Sequence, residues 1–177
     1  MNDLDLDQYY LRSERGIDYR LLREFLEAHD WKAADIETMN IVYQCLGSSD
    51  FQSASFVDFP CTDLISMDRL WMAHSQKQFG FSIQVQFYLR CLQAYVGSQR
   101  KMDLKSTFLN GLNWSIGGVP LNPDKISYNT NIPRGHLPSV LLRLHQMHGN
   151  GFTDFVHRLF SCSVTPPGLK IPPASQD

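Results

Sequence analysis

Phe81-Ser82-Ile83-Gln84-Val85-Gln86-Phe87-Tyr88-Leu89-Arg90-Cys91-Leu92-Gln93-Ala94-Tyr95-Val96 carries two apolar stripes at helical spacing, Phe81/Val85/Tyr88/Leu92/Tyr95 and Ile83/Phe87/Cys91/Ala94. Gln86, Arg90, Gln93 and the following Gly97 form a polar strip. A helix that is apolar over most of its girth belongs at the centre of a fold, with other helices around it. Gln78-Phe79-Gly80 breaks the chain before it, and Ser82 can cap a helix running over 83–96.

Working outward toward the N-terminus, Pro60 cannot continue a helix, so one restarts beyond it with Thr62 as its cap. Its stripe is Leu64, Met67, Trp71 and His74, with Leu70 beside it. Farther back, Leu22, Phe25, Leu26 and His29 mark one face of a helix over 19–29. Asp30 can cap a second over 31–46, whose inward stripe is Trp31, Ala34, Thr38, Ile41, Val42 and Cys45. Gly47-Ser48-Ser49-Asp50 ends that helix, and so short a connection between the two predicts a helical hairpin.

Toward the C-terminus, Leu104, Phe108 and Leu112 predict a shorter helix over 103–112, and two more follow over 137–147 and 153–162. Between them, 113–138 is punctuated by Gly, Pro, Asn and Ser, a loop long enough that a lid or binding role is expected of it. Charged 1–17 and Pro-rich 163–177 read as flexible tails around one folded unit over 18–162. The expectation is therefore an all-α, single compact domain.

Composition narrows the function. The formal charge is -2, so the cationic field that nucleic-acid binders rely on is missing. No window holds the roughly 18 consecutive apolar residues of a membrane-spanning helix, and the acidic MNDLDLDQ start is unlike a basic signal or transit peptide. Cys45, Cys61, Cys91 and Cys162 form no CxxC pair and read as buried free thiols. His145 and His148 stand at i and i+3 with no carboxylate or Cys near them in sequence, so no metal is expected. No nucleophile, phosphate loop or acid–base pair is arranged for catalysis: Asp63 and Asp68 lie off a shared helical face, and Asp63 reads as a helix-start charge.

Several strings, in order, resemble the family called genomes uncoupled four. They are Trp31-Lys32-Ala33-Ala34-Asp35 with Glu37-Thr38, Phe59-Pro60-Cys61-Thr62-Asp63-Leu64, Leu70-Trp71 with Ser75, and Phe79-Gly80-Phe81-Ser82-Ile83-Gln84. Leu112-Asn113-Trp114 resembles the family's Gly-Trp segment, and Pro133-Arg134-Gly135-His136-Leu137-Pro138 its late Gly-His-Leu-Pro signature. The resemblance implies a cupped-hand fold whose apolar cleft holds protoporphyrin IX or magnesium-protoporphyrin IX, with a bilin as a further candidate. It also implies a non-enzymatic stimulator of magnesium chelatase in chlorophyll synthesis, acting through the large porphyrin-binding subunit of that enzyme. A monomer in cyanobacterial cytoplasm or plastid stroma is expected, with peripheral membrane association left open.

A porphyrin is a flat apolar disc with two carboxylates at one edge, so its site needs apolar walls and rim cations. In or beside the family's motifs stand Trp71, Met72, Phe79, Phe81 and Leu137 as wall candidates, and Lys77, Arg90, Arg134 and His136 as rim candidates. By residue type alone, Trp71, Phe79 and Phe81 read equally as core, and Lys77 and Arg90 as solvated charges. Arg134 and His136 close the long loop just before a helix, where backbone N–H groups also favour carboxylates. In one respect the chain departs from the family: Val85 and Gln86 stand where its members carry basic residues. Each charge-assisted contact contributes roughly 1.5–3 kcal/mol, so two missing ones predict porphyrin binding weaker by about a hundredfold or more. The same departure opens an alternative, a divergent paralogue that serves as a protein-interaction or signalling module with lost or altered pigment binding. The connection between Leu46 and Phe59 is also short for the family.

Overall fold

A computed structural model of the chain describes residues 11–48, 55–96, 103–129, 131–146 and 150–164. Seven α-helices account for most of them: α1 (Arg20–Glu27), α2 (Trp31–Leu46), α3 (Cys61–His74), α4 (Phe81–Val96), α5 (Leu104–Gly111), α6 (Val140–His145) and α7 (Gly151–Ser161). The expected all-α fold is what the chain adopts. Within the long loop, Ser115–Ile116 (β1) and Val119–Pro120 (β2) pair as a small antiparallel hairpin, followed by a 3-10 turn at Pro123–Lys125.

The helices begin where local chemistry provides for it. Asp30 accepts from the Ala33 N–H at 3.0 Å and caps α2, and Asp103 likewise accepts from the Ser106 N–H at 3.1 Å to cap α5. The two other expected caps are replaced. Pro60 occupies the cap position of α3, and the Thr62 hydroxyl donates to Glu14 Oε1 at 2.6 Å instead. Ser82 lies inside α4, where its own N–H donates to the Asp68 carboxylate at 2.8 Å. That close approach uses Gly80, at φ +135, because a Cβ there would stand 2.7 Å from Asp68 Oδ1.

Aromatic packing fixes how the helices meet. Phe155 of α7 sets its ring edge-on against Phe56, Phe59 and Phe81 at centroid distances of 5.4, 5.8 and 5.6 Å. Phe108 of α5 does the same with Tyr88, Trp114 and Phe152. These two clusters seat α7 and α5 against α4, the helix expected at the centre. The N-terminal half of α4 is buried as expected, including Gln84, whose Nε2 donates to the carbonyls of Gly135 (3.0 Å) and Pro138 (2.7 Å). At its C-terminal end Tyr95 and Val96 are exposed, so the apolar girth outruns the burial.

Three expectations from the sequence need correction. Cys61 and Cys162 form a disulfide, with Cα atoms 5.0 Å apart across 101 residues of sequence, while Cys45 and Cys91 are the buried free thiols expected. Residues 11–17, assigned to a tail, dock on the start of α3. There Asp63, in the first turn of α3 as expected and fully buried, accepts from the Glu14 N–H at 3.0 Å and the Tyr19 hydroxyl at 2.6 Å, and the Ser66 hydroxyl donates to the Arg12 carbonyl at 2.7 Å. His29, placed on the inward face of α1, is exposed, because at φ 56 it has already left the helix for the turn into α2. His148 and residues 49–54 of the short connection lie outside the described residues.

Candidate functional site

Where the α1–α2 corner, the α3–α4 turn and the long loop converge, a cleft of about 370 Å3 opens, lined by His29, Trp31, Gln78, Phe79, Tyr128 and Asn129. Its volume falls in the roughly 300–1,000 Å3 range of small-molecule sites. Trp31 dominates the wall: it stacks on His29 at 5.1 Å and receives Phe79 edge-on at 5.3 Å. Trp71 stands behind it at 6.2 Å, in the core, with its indole N–H donating to the Thr38 hydroxyl at 2.9 Å. The result is an aromatic layer two rings deep with a half-buried outer ring.

The end of the loop is zipped to the α3–α4 turn by backbone bonds. Gly135 N–H donates to the Gln78 carbonyl (2.8 Å), and Gly80 N–H donates to the Leu137 carbonyl (3.0 Å). The Gln78 side chain donates in turn to the Ile132 carbonyl at 3.1 Å. Arg134 Nε donates to the Lys77 carbonyl at 3.2 Å, which brings the exposed Lys77 and Arg134 together beside the cleft-lining Gln78. Two of the candidate rim cations, 57 residues apart in sequence, are thus neighbours.

The other candidates distribute differently. Trp71, Phe81 and Leu137 are wholly buried in the core, and Phe79 is nearly so although it lines the cleft. Met72 is half-buried, packed where the Gly80 turn approaches α3. Arg90 is exposed on α4 and does not line the cleft. His136 is not a rim cation: it is 1% exposed, with Nδ1 2.6 Å from the Leu112 carbonyl oxygen and Nε2 3.0 Å from that of Ser127. A carbonyl only accepts, so both bonds form together only when both ring nitrogens carry hydrogen. Burial opposes that charge and pushes the imidazole pKa down, while the two carbonyls and Asp35 pull it up.

His29, Trp31, Gln78, Tyr128 and Asn129 were not among the candidates. Trp31 opens one of the quoted strings, and the length of the loop marked the region of Tyr128 and Asn129; His29 and Gln78 had no signal beyond their places at helix ends. A buried carboxylate supports this side of the cleft. Asp35 accepts from the Ser139 N–H (2.7 Å), the Ser139 hydroxyl (2.6 Å) and the Tyr128 hydroxyl (2.9 Å). Burial pushes its pKa up against those bonds, and the Tyr128 phenol is pushed up by its own burial and by the facing carboxylate.

This helical bundle has the fold of the GUN4 structures. GUN4 from Chlamydomonas reinhardtii superposes with a TM-score of 0.59 at 23% identity, covering 85% of this chain and 93% of that one. Ligand-free GUN4 of Arabidopsis thaliana gives 0.56 at 21% identity, covering 88% and 97%. The GUN4-like family profile matches residues 12–153, and the chain belongs to that family, one of tetrapyrrole-binding regulators. A Ycf53-like protein of Synechocystis sp. is 30% identical over 153 residues, 84% of this chain and 60% of that protein. A ycf53 protein of Porphyra purpurea is 30% identical over 135 residues, 72% of this chain and 52% of its own length. The chain therefore spans a little over half the length of these relatives.

Proposed function

We propose that this protein binds a tetrapyrrole, protoporphyrin IX or its magnesium complex, and regulates magnesium chelatase through the large porphyrin-binding subunit of that enzyme without catalysing a reaction itself. The observation that carries the reading is the aromatic cleft of Trp31, Phe79 and Tyr128 with Lys77 and Arg134 beside it, in a chain of the GUN4-like family. A flat apolar ring would lie against Trp31, and its carboxylates would face the two cations. The departure at Val85 and Gln86 weighs less than the sequence suggested. Val85 is 1% exposed and faces the core, and neither it nor Gln86 lines the cleft. A linear bilin carries the same carboxylates and is the alternative pigment. Cyanobacterial cytoplasm or plastid stroma is the compartment this role requires.

Titration of the purified protein with protoporphyrin IX, magnesium-protoporphyrin IX and biliverdin, followed by tryptophan fluorescence and the Soret band, tests the proposal. Saturable quenching with one of the cyclic pigments is the expected result, and a flat response to all three ends it. A second reading, a divergent member acting as a protein-interaction module, is favoured by the hairpin, which holds Ile116 and Val119 73% and 68% exposed. Under that reading, Ile116→Asp with Val119→Asp abolishes association with the chelatase subunit while pigment titrations stay flat for the unaltered protein.

A further inference from the structure

Tyr128 and Asn129 line the cleft together with Trp31, and groups from elsewhere in the chain hold the short segment Ser127-Tyr128-Asn129 at two successive residues. The Tyr128 hydroxyl donates to Asp35 of α2 at 2.9 Å, across 93 residues of sequence. One residue earlier, the Ser127 carbonyl lies 3.0 Å from His136 Nε2, whose other ring nitrogen is engaged by the Leu112 carbonyl at the end of α5. Asp35 is itself immobilised by the two Ser139 bonds, so both anchors are fixed points. Tyr128 is half-buried against the edge of the core and Ser127 and Asn129 are exposed, so the Tyr128 ring is the segment's one apolar contact. A segment with few apolar contacts opens locally at low cost unless specific bonds restrain it.

We propose that Asp35, together with His136, latches this strap across the cleft, so that Asp35 is a positioning residue governing how fast a planar ligand enters and leaves. The inference rests on the cleft being the ligand site. With the latch made, the Tyr128 ring is held in the cleft lining and the gap it borders is set. With it broken, the strap swings on its neighbouring loop residues, the gap widens, and ligand exchange accelerates in both directions. Asp35 touches no ligand; it acts through Tyr128.

The test separates the latch from the ligand reading. Tyr128→Phe keeps the ring and removes the latching hydroxyl. Asp35→Asn replaces the oxygen that faces the Tyr128 and Ser139 hydroxyls by an NH2 group, which cannot accept from either and carries no charge. Ser139→Ala removes the hydroxyl bond to Asp35 but keeps the backbone N–H bond to its other oxygen, so the anchor stays in place. Hydrogen exchange of the peptide covering 126–131 in the ligand-free protein should quicken about tenfold or more in Tyr128→Phe and in Asp35→Asn, the scale of one charge-assisted hydrogen bond, and stay near wild type in Ser139→Ala. Wild-type exchange in both of the first two variants overturns the latch, whether or not pigment binds. Stopped-flow quenching by protoporphyrin IX then reads the consequence. Association and dissociation should both accelerate in Tyr128→Phe, with the equilibrium constant changing less than either rate. A change confined to the dissociation rate means a lost ligand contact and removes the gating role. No quenching of the wild-type protein refutes the ligand reading, while the exchange data still decide whether the strap is latched.

Discussion

Asp68 shows how a single residue sets a pH response. Its carboxyl lies under the turn that begins α4, accepts from the Ser82 N–H at 2.8 Å, and is pushed up to about 6, chiefly by burial. Between its unfolded value of about 3.9 and that folded value, the folded chain holds the proton more tightly, so this group's stabilisation is present in acid and lost as pH rises through 6. Asp68→Asn keeps an accepting oxygen and removes the charge. The variant should match wild type near pH 4 and exceed it at pH 7 by up to about 3 kcal/mol, which urea unfolding at both values measures. A gap of the same size at the two values would contradict the assignment. At the proposed rim, Arg134→Ala should weaken protoporphyrin IX by about tenfold or more and leave its dimethyl ester nearly unaffected, since the ester has no carboxylate to pair. Equal losses in parallel fluorescence titrations remove Arg134 from the rim.

At the scale of elements, the loop behaves as a built part of the fold. Gly135 is at φ +85, and a Cβ there would stand 3.2 Å from Leu112 Cδ2 and 3.3 Å from Ile83 Cγ2, so Gly135→Ala strains both the backbone and its packing. A loss of about 1–3 kcal/mol is expected, with a change in near-UV circular dichroism as Trp114, bonded through its indole N–H to the His136 carbonyl at 3.0 Å, shifts. The helices were legible because periodicity and caps such as Asp30 and Asp103 act within a few residues. The loop was not, because its restraints reach far along the chain: Asp35 to Ser139 spans 104 residues, and Gln84 to Pro138 spans 54. For the same reason the candidate site was read in part. Lys77, Phe79 and Arg134, singled out from the sequence, lie at or beside the cleft, but the sequence could not tell that Trp71 stands behind Trp31, or that His136 is spent on two carbonyls inside the protein.

Across the whole molecule, the Cys61–Cys162 bond joins the start of α3 to the end of α7 and encloses most of the fold. No local spacing announces such a pair. Closing a loop of that length restricts the unfolded chain, and removal of a native disulfide typically costs about 2–5 kcal/mol. Cys162→Ser should therefore melt lower than oxidised wild type, and dithiothreitol should bring wild type down to the variant while leaving the variant unmoved. Thermal melts with and without reductant measure this, and coincident melts for all four samples would show that the bond carries no stability. The bond also makes the covalent outline of the protein a ring with two ends. A protease that cuts once anywhere between positions 62 and 161 leaves both pieces tethered, so they migrate as one band until a thiol separates them. In an oxidising setting, then, a nicked copy keeps its halves at each other's disposal, and the wound is silent until the compartment turns reducing.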